Sequence, residues 1–542
     1  MLEEAVRLSP HDARLRSDLA AAYLAHAQER GEPTSLLPAL ATAQRAVDLD
    51  GRLPEARFNH ALALEKLYLP AAKKAWRDYL RLDSTSEWAD EALGHFAGLV
   101  LQQPADLWSE QKPQLLAAGE RGDFSTVREL VERFQEPVRA FAEQELLALW
   151  ADHQAAGRSE DAARTLRAVR TIGRALAVVG GDSLLEESAA VIEAAVADGE
   201  HSDRVRALVE GHRAYKEGLA LLTARRTATA ATRFQHASQL LRSAKSPFAA
   251  LAELSLSTCR YRSRDLSAAL DLLDLLARDP HNGSFPNLLG RVFWLAGLVR
   301  GSSGDATGCL TLYREALSQF ERTGEEGRIG ALHNRIAEQL RLLGDSRKAW
   351  RSLYSALGAT VRLRDFQALQ PLWLEAAEGA LELGELESAM VFQDEAVRGA
   401  LASGRPEDVA FALLRRSPLQ YRLGREDEAV RDLSQAREAL AKVGDESFRR
   451  PMWAQFLQAE AELSLTSDPD QALRQLDEAL AYYGDSAPGA VLSDLYRSRA
   501  RAWLARGEEA LAEKELRFGI RAIERQRQNV EEEDLRISYL DD

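Results

Sequence analysis

The fold is decided by a stretch that recurs along the chain, RIGALHNRIAEQLRLLGDSRKAWRSLYSAL (residues 328–357). From Ile329 to Leu340 its apolar residues follow one another at three- and four-residue spacing, which is the period of an amphipathic helix. Gly344 then breaks this pattern, because glycine tolerates the left-handed conformation that ends a helix. A second apolar stripe begins at Ala349. The stretch therefore predicts two helices joined by a tight turn.

Small residues return about every 40 positions in the second helices of such hairpins. This ladder consists of Ala230, Ala269, Cys309, Ala349, Ala389, Ala429, Ala472 and Ala512. Its partner positions on the first helices are Gly297, Ala337, Ala377, Ser417 and Ala500. The turns repeat at Gly304, Gly344, Gly384, Gly424 and Gly507. Small residues let two helix backbones approach closely, so the ladder predicts helix crossings at a fixed period and hence a solenoid.

A large apolar residue usually stands four positions after each small one, as Leu353 follows Ala349 and Leu516 follows Ala512. Gln393 breaks the pattern after Ala389. The order small, turn, small, large resembles the tetratricopeptide repeat, although the usual period of that repeat is about 34 residues. HEAT and armadillo repeats, with periods near 40, are the alternative. The resemblance implies an all-α fold, a right-handed superhelical solenoid of antiparallel helix pairs.

We divide the chain into four parts on this pattern. They are N-terminal repeats of tetratricopeptide type in residues 1–103, an irregular helical middle region with one repeat-like pair in 104–202, a regular array of about eight repeats in 203–530, and the start of a linker to a missing C-terminal domain in 531–542. Residues 102–112 are expected to interrupt the helical pattern. Residues 177–183 are expected to form a turn, and residues 184–200 a single helix.

Composition argues against several function classes. The formal net charge of −15 disfavours general binding to nucleic acids or anionic membranes. No apolar run is long enough for a membrane span, and no signal peptide is visible, so we expect a cytoplasmic protein. Cys259 and Cys309 cannot form a disulfide framework, and both lie in apolar helical patterns that predict burial.

Motifs that carry chemistry are absent from the sequence. There is no phosphate-binding loop, no dinucleotide fingerprint and no His-Glu-x-x-His. The histidines, such as His60, His236 and His333, stand singly in predicted helices. We therefore expect no catalytic, cofactor or metal site, although an unrecognised enzyme site in the groove of the solenoid remains an alternative.

The most specific local stretch is GIRAIERQR (residues 519–527), followed by EDLRISYL (residues 533–540). It resembles the junction at which bacterial tetratricopeptide proteins run into a CHAT domain, a caspase-like peptidase module. The resemblance implies that the chain is the regulatory or recognition arm of such a protease. The peptidase would need a His and Cys pair on its own domain, so no catalytic residue is carried over to this chain.

A solenoid of this kind binds a protein or peptide partner in the groove lined by its first helices. The register of the ladder places these residues in the groove: Trp294, Leu298, Asn334, Arg335, Glu338, Arg341, Tyr421, Arg497 and Arg501. Arg341, Arg497 and Arg501 are expected to clamp a carboxylate of the partner. An associated caspase-like peptidase domain is a further candidate partner. The alternative is a stand-alone adaptor or scaffold in bacterial signalling or secretion.

Overall fold

The computed structural model describes residues 1–99, 104–199, 202–303, 305–363, 366–444, 446–465, 467–483 and 489–527. Within these ranges the regular secondary structure is helical, without strands. The α-helices are α1 (Leu2–Leu8), α2 (Ala13–Arg30), α3 (Leu36–Leu49), α4 (Pro54–Lys66), α5 (Ala71–Leu82), α6 (Glu87–Gly98), α7 (Pro104–Arg121), α8 (Phe124–Phe141), α9 (Leu147–Ala155), α10 (Ser159–Gly180), α11 (Leu184–Ala197), α12 (Asp203–Thr223), α13 (Thr227–Ser243), α14 (Ala249–Arg262), α15 (Leu266–Arg278), α16 (Pro286–Ser302), α17 (Ala306–Thr323), α18 (Glu326–Leu342), α19 (Ser346–Arg362), α20 (Phe366–Glu382), α21 (Leu386–Ser403), α22 (Pro406–Arg422), α23 (Glu426–Leu440), α24 (Glu446–Ser464), α25 (Pro469–Tyr483), α26 (Gly489–Ala505) and α27 (Glu509–Arg527). None of these helices is both long and apolar enough to cross a bilayer.

Consecutive helices pack as hairpins, most extensively in the pairs α12 with α13, α16 with α17, α22 with α23 and α26 with α27. The turns between paired helices end one helix and start the next. Gly344 has φ +77°, and the following Asp345 accepts a hydrogen bond from the backbone N–H of Lys348 at 3.1 Å. The predicted left-handed turns are confirmed at Gly344, Gly384, Gly424 and Gly507. Gly304 lies outside the described residues.

Four turns adopt the same left-handed conformation without glycine, at Tyr68, Arg225, Lys245 and Arg264. Arg225 and Arg264 have φ values of +59° and +63°. The backbone N–H of Arg264 donates to Tyr261 O at 3.0 Å, and the next N–H donates to Arg260 O at 3.0 Å, a bonding pattern that matches the Gly344 turn. The repeat geometry thus imposes this conformation on residues with a side chain, at a cost of about 1–2 kcal/mol per turn.

The ladder of small residues lies in the core, as predicted: all eight members are at most 4% exposed. At Gly297 an added Cβ would come within 2.5 Å of the Tyr313 ring, so only glycine fits this crossing. The Ser417 hydroxyl donates to the carbonyl of Ala429 at 3.0 Å, which ties the first helix to the ladder of the second. These close crossings confirm the all-α fold class of tetratricopeptide type.

The rule for the position four residues after the ladder fails at one end of the array. Leu516 is 44% exposed, because α27 is the last described helix and no further described repeat covers this face. Gln393, the exception in the sequence, is fully buried. Cys259 and Cys309 are buried, as predicted, and burial raises the pKa of the Cys259 thiol to about 11.

Two expectations for the middle region were wrong in detail. The segment expected to interrupt the pattern is helical from Pro104 onward, because α7 begins there with proline at a position that needs no backbone donor. The turn expected over 177–183 is shorter, since α10 continues to Gly180 and only Gly181 adopts φ +65°. The predicted helix after it is confirmed as α11, which ends at Ala197.

The chain divides into two compact units. Among the described residues, unit 1 comprises 1–99 together with 336–527, and unit 2 comprises 104–335. In unit 1 the N-terminal helices join the same core as α19 to α22, although they are distant in sequence. The indole N–H of Trp350 donates to Pro33 O at 3.0 Å, and the Ser388 hydroxyl donates to Leu37 O at 2.6 Å. The helices α19 and α21 therefore bury a second face beneath the N-terminal segment.

Unit 2 contains a buried network of charged groups. The Arg139 Nε donates to Glu325 Oε1 at 2.7 Å, and its Nη1 lies 3.4 Å from Asp182 Oδ1. The second oxygen of Glu325 accepts from Asn287 Nδ2 at 2.6 Å and from Arg328 Nε at 2.7 Å. The side chains of Arg139, Asp182 and Glu325 are at most 3% exposed. The network links α8 to α16 and to the turn between α17 and α18.

Candidate binding face

A row of charged side chains runs along successive first helices of unit 1. Helix α22 packs against α24, and α24 packs against α26, so these first helices are neighbours. Ion pairs join side chains of neighbouring first helices. Arg341 Nη2 lies 3.0 Å from Glu375 Oε2, and Arg415 Nη1 lies 2.7 Å from Glu378 Oε1. Arg501 Nη1 lies 2.5 Å from Glu462 Oε2. We call this set the first-helix row. Its members are Arg341, Glu375, Glu378, Arg415, Glu462, Asp494, Arg497 and Arg501.

Charges in the middle of the row influence one another. Burial opposes the charge on the Arg415 guanidinium, but Glu378, with Glu375 further off, outweighs this effect and raises its pKa. Partial burial raises the pKa of Asp494, whose side chain is still 52% exposed, and Glu378 and Glu462 add to the rise against the opposing effect of Arg497. Three carboxylates from three helices, Glu378, Glu462 and Asp494, thus lie close enough to influence one another.

Exposure increases towards the end of the row. The side chain of Arg341 is 21% exposed, whereas Arg501 is 55% and Arg497 is 67% exposed. Arg497 lies 2.8 Å from Asp494 on its own helix. Exposed pairs of this kind are worth little to stability, about 0–1 kcal/mol each, so a ligand can exchange with either partner at small cost.

The structure distributes the nine groove residues predicted from sequence over both units. Trp294, Leu298, Asn334 and Arg335 belong to unit 2, and Glu338, Arg341, Tyr421, Arg497 and Arg501 belong to unit 1. Leu298 packs against the core of unit 2, and Trp294 is half-buried with its ring 6.2 Å from Phe320. Asn334, Glu338 and Tyr421 are half-buried, and Arg335 is exposed.

The three predicted clamp arginines, Arg341, Arg497 and Arg501, all lie in the first-helix row. Each is already paired with a carboxylate of the chain. Sequence reasoning missed Arg415 and the carboxylate partners. The signal was available, because Glu375 and Arg415 stand two residues before the small residues of their helices, as Arg335 does in its own.

The row contains charged groups of both signs and no arrangement typical of catalysis by a metal. Within the described part of the chain, no group of three His, Cys, Asp or Glu side chains is arranged to hold a metal ion. The row offers guanidinium donors and carboxylate acceptors on a surface built by several rigid helices. Such a surface suits a polypeptide that carries groups of both signs.

Comparison with protein-family models and with curated proteins finds no match to this chain. Solved structures of helical proteins are similar to it at low sequence identity. The apo form of the quorum sensor NprR from B. thuringiensis is 12% identical, with 70% of this chain and 97% of that chain covered and a TM-score of 0.46. The apo form of RapI is 14% identical, covering 52% and 98%, with a TM-score of 0.44. A Rap protein complexed with competence and sporulation factor is 13% identical, covering 75% and 99%, with a TM-score of 0.41.

Proposed function

We propose that the chain is a non-catalytic scaffold that binds a protein or peptide partner through the first-helix row. The observation that carries this proposal is the run of paired but partly exposed charges on successive first helices. Arg497 and Arg501 keep more than half of their side-chain surface open. A row that served stability alone would gain little from such exposed pairs.

Binding would proceed by exchange of ion pairs. An acidic group of the partner replaces Asp494 or Glu462 on the arginines, and a basic group of the partner takes the released carboxylate. Hydrogen bonds to charged groups contribute about 1.5–3 kcal/mol each when both partners stay satisfied. Because these pairs are exposed, the affinity should fall as the salt concentration rises.

The test uses a displayed library of random 12-residue peptides, selected on the full chain. Peptides that bind are then measured by fluorescence anisotropy on R497Q and R501Q. We expect each substitution to weaken binding at least tenfold. The matched control is R517Q, because Arg517 is 71% exposed and pairs with Glu513 on a second helix, outside the row. Equal affinity for R497Q, R501Q and R517Q would refute the assignment of the row.

Glutamine is preferable to glutamate in these variants. Arg497 lies beside Asp494 and Arg501 beside Glu462, so a glutamate at either position would place two carboxylates next to each other. A loss of binding could then not be distinguished from a loss of stability. The neutral amide removes the guanidinium without introducing this repulsion, and the melting temperature of each variant checks that the fold is intact.

We further propose that this scaffold is the regulatory arm of a CHAT caspase-like protease. The support is the resemblance of residues 519–527 and 533–540 to the junction before such a domain; the second stretch lies outside the described residues. The test is the reading frame of the native gene after codon 542, together with the intact mass of the native protein. A following α/β domain with a His and Cys pair supports the protease arm, and a stop codon favours a stand-alone adaptor.

A further inference from the structure

An open pocket of about 440 Å³ lies between α4 and α6 in unit 1. It is lined by Glu65, Glu91, Gly94, His95, Gly98 and Leu99. The described residues of the lining include two carboxylates and an imidazole but neither lysine nor arginine. Its volume is in the range typical of pockets for small organic molecules, about 300–1,000 Å³. The pocket shares no residue with the first-helix row.

The imidazole of His95 is held in one orientation. Its Nδ1 lies 2.8 Å from Glu65 Oε1, and the other oxygen of Glu65 accepts from the Trp76 indole N–H at 2.6 Å. The ring also stacks on the indole of Trp76, with centroids 4.9 Å apart and planes inclined by 6°. A carboxylate partner favours the tautomer with hydrogen on Nδ1, which leaves Nε2 as a hydrogen-bond acceptor.

Glu91 stands beside this acceptor. Its Oε1 lies 3.7 Å from His95 Nε2, one helical turn earlier on α6, which is beyond hydrogen-bond distance. The carboxylate is 52% exposed. Two acceptors at this separation can both receive hydrogen bonds from one donor group with several hydrogens. An ammonium group, with three donors and a positive charge, fits this requirement.

Two glycines on the same helix provide an independent observation. Gly94 and Gly98 line the pocket within α6, and an added Cβ at either would meet no atom of the described residues within 4 Å. Each glycine inside a helix costs about 1 kcal/mol relative to alanine. Packing within the described chain therefore does not require them. A helix surface without side chains does allow a ligand to approach the backbone closely.

We propose that this pocket binds an organic ammonium cation. The ammonium donates to His95 Nε2 and Glu91, and the alkyl part lies over Gly94 and Gly98 towards Leu99. A metal ion fits less well, because both oxygens of Glu65 are engaged by His95 and Trp76 and only two ligands remain. The cation comes either from a free amine or from a lysine side chain, and both have the same chemistry at the site.

The experiment is isothermal titration of the full chain with putrescine, with Nα-acetyl-lysinamide, and with butane-1,4-diol as the neutral counterpart of putrescine. We expect saturable one-to-one binding of an amine and none of the diol. The amine that binds more tightly identifies the source of the ammonium group. Saturable binding of the diol, or of zinc ions but neither amine, would overturn the proposal.

Variants then locate the site. E91Q and H95F should each weaken amine binding at least tenfold, and G98V should do the same by filling the pocket. The matched control is E87Q, which changes an exposed carboxylate on α6 that does not line the pocket. Circular dichroism checks that helix content is kept. Equal affinities for E91Q, E87Q and the unmodified chain would refute the site even if an amine binds elsewhere.

Discussion

Replacing Glu325 by glutamine tests whether its buried network holds unit 2 together. The side chain of Glu325 is fully buried and accepts hydrogen bonds from Arg139 at 2.7 Å, Asn287 at 2.6 Å and Arg328 at 2.7 Å. Glutamine keeps the shape but removes the charge. It also turns an NH2 group towards side chains that themselves donate. Arg139 then keeps an ion pair with Asp182, whose Oδ1 lies 3.4 Å from Arg139 Nη1.

The magnitude follows from the burial of Arg139. Its side chain is 3% exposed, and within the described chain its Nη2 already has no hydrogen-bond partner. Removing one partner of a buried pair costs about 3–5 kcal/mol, because an uncompensated charge stays in the core. R139M alone should cost less than this, since Glu325 keeps Asn287 and Arg328 as donors. The double variant R139M/E325Q removes the stranded charge, so its loss should fall short of the sum of the two by about 1–3 kcal/mol.

The assay is urea unfolding monitored by hydrogen exchange and mass spectrometry. Peptides from α8 and α16 report the unfolding of unit 2. The control is E321Q, four residues earlier in the same region, where the carboxylate is exposed and the expected change is within about 0.5 kcal/mol. A loss for E325Q no larger than that of E321Q would refute the reasoning. So would strict additivity of the double variant.

Three further predictions concern the turns, the ladder and the N-terminal contact. R264G should raise the free energy of unfolding by about 0.5–1 kcal/mol in urea denaturation, because glycine relieves a left-handed turn; no change would mean the turn is unstrained. A429L should lower the free energy of unfolding by at least about 2 kcal/mol, because leucine overfills a helix crossing, whereas L516K should change it by no more than about 0.5 kcal/mol. Equal melting temperatures for these two variants would contradict the ladder. Hydrogen bonding from Arg351 lowers the pKa of Glu32 to about 2, so the pair stabilises unit 1 above the ordinary value of 4.5 and this contribution is lost as the pH falls towards 2. R351M should remove that part of the acid dependence, and parallel stability curves for R351M and the unmodified chain would exclude it.

The sequence was a sufficient guide to the repeat because the crossings are local. Ser417 and Ala429 are twelve positions apart and meet across one turn, so their spacing records a contact directly. The same logic failed at Leu516, because burial there depends on a following repeat rather than on the helix itself. A pattern within one hairpin can predict what its two helices share, but it cannot predict what covers their outer faces.

Contacts between residues far apart in the sequence are marked more weakly in the sequence pattern than the local crossings are. Ser388 bonds to Leu37 across 351 positions, and nothing in the spacing of the repeats predicts that pairing. Trp350 gives a weak signal, because it is larger than Leu270, Leu310 and Met390, which stand at the same place in other repeats. Trp350 is buried, and its indole N–H donates to Pro33 O on the face that receives the N-terminal segment. In this chain an unusually large residue at a repeated position thus lies where the repeats contact a segment distant in sequence.

The same reasoning separates the proposed binding face from the contacts that build the fold. Inside unit 2, Arg139 is buried and paired with two carboxylates that are buried as well, so exchange with a ligand would leave those carboxylates uncompensated. Along the first-helix row, Arg497 and Arg501 make pairs of similar length, but water surrounds them and can replace either partner. Pair distance alone does not distinguish the two cases. Exposure does, which is why sequence spacing found these arginines but could not show that they were already paired, nor which pairs a partner could open.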